Sequence, residues 1–168
     1  MGRNKPKQEY IKTNLRRYTF ENKMFKKWVE VNCGERVLNL FAGKTRLNLN
    51  MEVRNDIDKS MDAEFHIDAV EFVRWWASIE KPGFDTIICD PPYSYRKSME
   101  MYKGNRCSRF KQLADEIPTI LNPNGNVISF GYHDTFLGKI RGFGLKELCV
   151  FGHGGAQHCT IGIVEGRI

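Results

Sequence analysis

No stretch of this 168-residue chain approaches the roughly 18 to 20 consecutive apolar residues of a membrane span. The first ten residues, MGRNKPKQEY, lack the apolar centre of a secretory signal, so the expected location is the cytoplasm, with no membrane partner. Cysteines number five (Cys33, Cys89, Cys107, Cys149, Cys159), an odd count with no Cys-x-x-Cys pair, which excludes a disulfide framework and a zinc ribbon. They read as reduced, mostly packed thiols. His153, His158 and Cys159 alone hint at a ligand cluster. As neighbours on an expected strand, however, His158 and Cys159 point to opposite faces, so no metal is expected. Two nucleotide signatures are missing too. No G-x-G-x-x-G occurs, and Gly43-Lys44-Thr45 is not a Walker loop, because Leu38 stands where that motif needs its first glycine.

Acidic residues are scarce at one end. Residues 1–30 hold nine Lys and Arg against three Glu, which accounts for the whole formal charge of +6; the remainder balances 17 basic against 17 acidic side chains. A basic N-terminal arm (1–17) on a neutral body points to a polyanionic partner held through phosphates, with a solvated tail as the competing reading. The body (18–168) has an ordinary globular composition, is long enough to bury one core, and is expected to be a single domain.

Tyr18 to Asn32 places Met24, Phe25, Trp28 and Val29 on one side of an amphipathic helix. Then strands are expected at 36–42, 52–56, 63–68 and 85–90, with a helix at 69–79. A helix at 108–121, kinked or ended by Pro118, leads through the breaker NPNG to a fifth strand at 126–133. Two last strands (145–153, 157–166) flank a Gly-Gly turn. The fold class is therefore α/β: a doubly wound, Rossmann-like, mostly parallel sheet ending in an antiparallel C-terminal hairpin.

Ligands of such sheets sit beyond the carboxyl ends of the strands. Reading only those ends gives NLFAGKT (39–45), then Asp56 and Asp58, then Asp68, then Asp90-Pro91-Pro92-Tyr93. Gly43 allows a tight turn with exposed amides, and Asp56 stands where such folds put an acid on ribose hydroxyls. Asp68 suits an adenine amino group. The two prolines send the chain out of the sheet stiff and extended, so the Asp90 carboxylate, the Pro91 carbonyl and the Tyr93 ring present acceptors beside a stacking face. That set suits a planar ligand bearing an NH2 group.

At these residues the chain resembles the class I S-adenosylmethionine-dependent methyltransferases, in particular the amino-methylating branch marked by Asp-Pro-Pro-Tyr. The resemblance runs from about Arg36 to the C-terminus, and its motif order is that of the adenine-N6 more often than the cytosine-N4 enzymes. Two positions depart from the family: Asn39 replaces an acid and Thr45 a second glycine. The resemblance implies that Phe41, Ala42 and Gly43 border the methionine part of S-adenosylmethionine, that Asp56 takes the ribose, and that Asp68 with Ala69 addresses the adenine; Asn39 and Asp58 are further cofactor-binding candidates. Asp90 and Pro91 would then hold the target amine, and Tyr93 would stack on its base.

Residues 94–111 carry Arg96, Lys97, Lys103, Arg106, Arg109 and Lys111 against Glu100 alone, with Tyr95 and Tyr102 among them, a pattern that favours a nucleic-acid substrate. The resemblance favours DNA, with RNA the close alternative; little chain remains for a recognition domain, so specificity is expected to be short or shape-based, or to come from a partner or dimer. A protein glutamine N-methyltransferase and a non-catalytic nucleic-acid-binding module are the rival readings. Trp75 and Trp76 diverge on their helix and read as packing.

Overall fold

The computed structural model describes residues 5–79, 81–91, 109–155 and 157–168. Its elements are β1 (Lys7–Lys12), α1 (Lys23–Asn32), β2 (Arg36–Asn39), β3 (Met51–Arg54), α2 (Ala69–Ser78), β4 (Phe84–Cys89), α3 (Phe110–Glu116), β5 (Leu121–Gly131), β6 (Phe143–Gly152) and β7 (Thr160–Arg167). They build a seven-stranded sheet in the order β1-β6-β7-β5-β4-β2-β3. The pairs β5·β7 and β6·β7 are antiparallel and the others parallel.

Alternation along the central strands decides the layers. Leu38, Ile87 and Val127 join one buried cluster with α2 and α3, whereas Val37, Ile88 and Ile128 join a second with Phe25, Trp28 and Val29 of α1. Covered on both faces, these strands read as near-continuous apolar runs. Trp76 is buried and Trp75 is partly exposed, as their divergence on the helix requires. Burial also pushes the Cys33 and Cys149 thiols up to about 12, in keeping with inert packed cysteines.

The structure departs from the sequence reading at four places. Residues 63–68 are not a strand: only Phe65 makes a bridge, to Asn55. The segment is pulled out of the sheet on both sides of it, because the Glu64 carboxylate turns back to the Arg54 N–H and Asp68 caps α2. The first helix starts at Lys23, capped by the Asn22 side chain, so Met24 lies in its first turn and is 42% exposed. β5 begins at Leu121, because NPNG is absorbed as an irregularity in its pairing with β4. Finally, residues 7–12 of the basic arm form β1, parallel to β6 at the sheet edge. The strand's register is secured at its end, where Thr13 N donates to Gly152 O (2.9 Å).

Candidate active site

β2 lies between β4 and β3. The chain leaves β2 toward β3 on one side and returns to β4 on the other, so these strands border the switch point of the sheet, the place where folds of this kind hold ligands in a crevice beyond the carboxyl ends of the strands. Residues 40–43 reach it from β2, and Asp90 with Pro91 from β4. Leu40 N donates to Ile88 O (3.1 Å), which ties the two exits together.

Gly43 has φ +58°, a left-handed conformation that glycine adopts without strain. Its N–H donates to Asp56 Oδ2 (2.9 Å), and Asp56 Oδ1 accepts from Asp58 N (2.9 Å). Burial pushes the Asp56 carboxyl above its ordinary value, and those two N–H bonds pull it back in part. Asp58 in turn accepts from Ser60 N (2.8 Å).

Phe41 packs against the α2-side cluster and Ala42 is buried; Ala42 N donates to Asn55 O (3.0 Å). Asn39 is fully buried. Its Nδ2 donates to Glu52 Oε1 (3.0 Å), while its Oδ1 has no partner among the described residues.

Asp68 sits at the N-cap of α2, where its Oδ1 accepts from Val70 N (3.0 Å) and Glu71 N (3.3 Å); Ala69 is the first, buried residue of the helix. Arg109, read from sequence as a nucleic-acid contact, bridges Asp68 (2.6 Å) and Glu71 (2.9 Å). It therefore joins the end of the basic segment to the side of the crevice expected to hold the adenine. Asn55 connects that side to the glycine loop, with Nδ2 donating to Leu40 O (3.3 Å) and Ile67 O (2.9 Å). Pro92, Tyr93, Arg96, Lys97, Lys103 and Arg106 lie outside the described residues.

A cavity of about 340 Å³ opens beside Pro91, walled by Phe110, Phe130, Phe136 and His133. Ser129 also lines it, from the register position next to Cys89 of β4. It is 7% exposed, and no group among the described residues hydrogen-bonds its hydroxyl. Beneath the Phe136 wall, the buried Glu165 carboxylate accepts from the N–H groups of Phe136 (3.0 Å), Leu137 (2.8 Å) and Gly138 (2.9 Å).

The N-terminal arm reaches the same rim. Beyond β1 it is held by His153 Nδ1 at Thr13 O (3.1 Å) and by Asn22 Nδ2 donating to Thr13 Oγ1 (2.8 Å). It ends with the Tyr18 ring 3.8 Å from where a Cβ on Gly43 would stand, flanked by the Arg17 guanidinium and the Lys44 ammonium.

Asn39, Phe41, Ala42, Gly43, Asp56 and Asp58 are thus linked through the ends of β2 and β3, Asp68 and Ala69 adjoin them through Asn55 and Ile67, and Asp90 with Pro91 follows β4, the strand next to β2. Ser129, Arg54, Asn55 and Glu165 were not singled out from sequence. The Arg54-Asn55 pair did carry a signal, as charged and polar residues ending a strand where an apolar residue is expected.

No family model matches the chain, and no curated protein sequence is similar to it. Solved structures are similar. TrmN from Thermus thermophilus superposes with a TM-score of 0.59 at 17% identity, over 88% of this chain and 49% of that one. SMU.776, solved in complex with SAH, gives 0.57 at 14% identity, over 82% and 46%. A SAM-dependent methyltransferase from Agrobacterium tumefaciens gives 0.52 at 17%, over 86% and 60%. The chain spans about half the length of the first two. It has the Rossmann-like methyltransferase fold, with a mostly parallel sheet and an antiparallel C-terminal pair. No helix among the described residues is long and apolar enough to cross a membrane, and none of their His, Cys, Asp and Glu side chains gather into a metal-holding group.

Proposed function

We propose that this chain transfers a methyl group from S-adenosylmethionine to an exocyclic amino group of a nucleobase, adenine N6 in DNA preferred. The carrying observation is the pairing of the glycine loop and Asp90-Pro91 across one switch point, with an aromatic cavity beside Pro91.

The residues fit the cofactor. Left-handed Gly43 turns the loop without a side chain in the crevice, and the N–H groups of Lys44 and Arg46 have no acceptor among the described residues, which suits a carboxylate. Asp56, through its bond to the glycine loop, and Asp58 border the place of the ribose, and Asp68 at the start of α2 borders that of the adenine. When bound, S-adenosylmethionine supplies an electrophilic methyl on a sulfonium.

The protein's own contribution is positioning. An exocyclic amine is a poor nucleophile because its lone pair is delocalised into the ring. The Asp90 carboxylate and the Pro91 carbonyl, accepting from its two hydrogens, favour a pyramidal nitrogen and aim the lone pair. Phe110, Phe130 and Phe136 give the extruded base an apolar enclosure, which offsets the few kcal/mol of unstacking. The basic arm and the 94–111 segment hold the phosphates.

The test is transfer of labelled methyl to matched DNA and RNA pools, followed by nucleoside digestion and mass spectrometry. N6-methyladenine in DNA is expected. The same product in RNA would reassign the substrate, N4-methylcytosine would reassign the base, and no label in either pool would overturn the nucleobase reading.

A further inference from the structure

Parallel neighbours in a sheet are usually joined through a helix, because the crossover must travel the length of a strand. The connection from β2 to β3 spans only residues 40–50 and contains no helix. The glycine loop therefore has no helix N-terminus behind it to fix its amides. Its shape depends on a side chain.

That side chain is Arg54, the last residue of β3, which is 0% exposed. All five of its N–H donors are engaged. Nη2 donates to Ala42 O (3.1 Å) and Gly43 O (3.0 Å), Nη1 to Thr45 O (3.1 Å) and Glu52 Oε1 (3.0 Å), and Nε to Asp62 O (2.6 Å). Glu52 balances the buried charge. Three loop carbonyls are thus drawn to one guanidinium.

A trans peptide points its C=O and N–H in opposite directions. Drawing in Gly43 O and Thr45 O turns the N–H groups of Lys44 and Arg46 away from Arg54, and neither has an acceptor among the described residues. The Ala42–Gly43 peptide obeys the same rule: its carbonyl meets Arg54 while its N–H meets Asp56. The Ala42, Gly43 and Thr45 carbonyls thus face Arg54, while the Gly43 N–H faces Asp56.

We infer that Arg54 is a positioning residue for the cofactor: it holds the glycine loop so that its amides receive the amino-acid end of S-adenosylmethionine, in place of a crossover helix and a second glycine. The inference rests on the methyltransferase reading. A lysine at this position keeps the charge, but its single ammonium has three donors against five and cannot reproduce the planar fork that meets these partners.

The test is calorimetric titration of the full chain with S-adenosylhomocysteine and with 5′-methylthioadenosine, which keeps the nucleoside and lacks the amino-acid end. Wild type is expected to prefer S-adenosylhomocysteine. Arg54→Lys is expected to weaken that ligand about tenfold, the worth of roughly one charge-assisted hydrogen bond, with 5′-methylthioadenosine changed less than about twofold. The double variant Arg54→Gln/Glu52→Gln removes both buried charges together, so the test survives if the lysine variant does not fold, and it should show the same selective loss. Equal weakening of both ligands would make Arg54 a structural residue only, and no weakening, or a wild type without preference, would also overturn the inference. A wild type that binds neither ligand would overturn the methyltransferase reading itself.

Discussion

Glu165→Gln tests whether the cavity wall is set from beneath. In the native protein one carboxylate oxygen accepts from Phe136 and Leu137 and the other from Gly138. A glutamine amide turned to its best orientation keeps the first two bonds and sets an NH2 group against the Gly138 N–H. One charge-assisted bond is lost, worth about 1.5–3 kcal/mol, and the two retained bonds become neutral and weaker. The site is 2% exposed, so water offers little compensation. We expect about 2–4 kcal/mol of lost stability, or a fall in Tm of about 2–4 °C per kcal/mol for a chain of this size, read by chemical and thermal unfolding. Because Phe136 lines the cavity, KM for the nucleic-acid substrate should rise while affinity for S-adenosylhomocysteine stays near wild type. A variant within about 0.5 kcal/mol of wild type, the range of an ordinary surface substitution, would refute the reasoning.

Ser129→Ala should lower kcat/KM for the nucleic-acid substrate by about 5- to 30-fold, the worth of one hydrogen bond to a buried polar group, with cofactor affinity unchanged; unaltered kinetics would remove Ser129 from the target site. Replacing Arg16 and Arg17 by alanine should reduce the salt slope of substrate binding by about 0.7 per residue on a single strand or about 0.9 on a duplex, and an unchanged slope would show that the arm touches no phosphate. The Asp56 carboxyl is raised above its ordinary 3.8 by burial, so its contribution to stability is fully present below that value and is lost as pH rises through the higher folded value. Relative to Asp56→Asn, the wild type should therefore lose stability from about pH 4 upward, and parallel stability curves for the two would contradict the burial argument.

The sheet was legible because its central strands are near-continuous apolar runs with polar residues at their carboxyl ends, Asn39 on β2 and Asp90-Pro91 after β4. The candidate site was legible because it gathers at those ends. What escaped has local causes. Residues 63–68 alternate like a strand, but the hydrogen bonds of Glu64 and the cap at Asp68 outweigh that pattern over so short a run. β1 was hidden by its lysines, since an exposed edge strand needs no apolar run. Arg54 escaped because a fully buried arginine is rare, and only its five partners, spread along the chain, make it tolerable.

The edge position of β1 also sets an order of events. Thr13 is anchored by His153, 140 residues later in the chain. During synthesis the glycine loop, β4 and the first half of the sheet leave the ribosome long before β6 exists to receive β1. The arm that lays Tyr18 against Gly43 therefore docks among the last parts of the protein. The crevice gains its final wall only when distant parts of the chain have met, which makes docking of β1 a late checkpoint on forming the site.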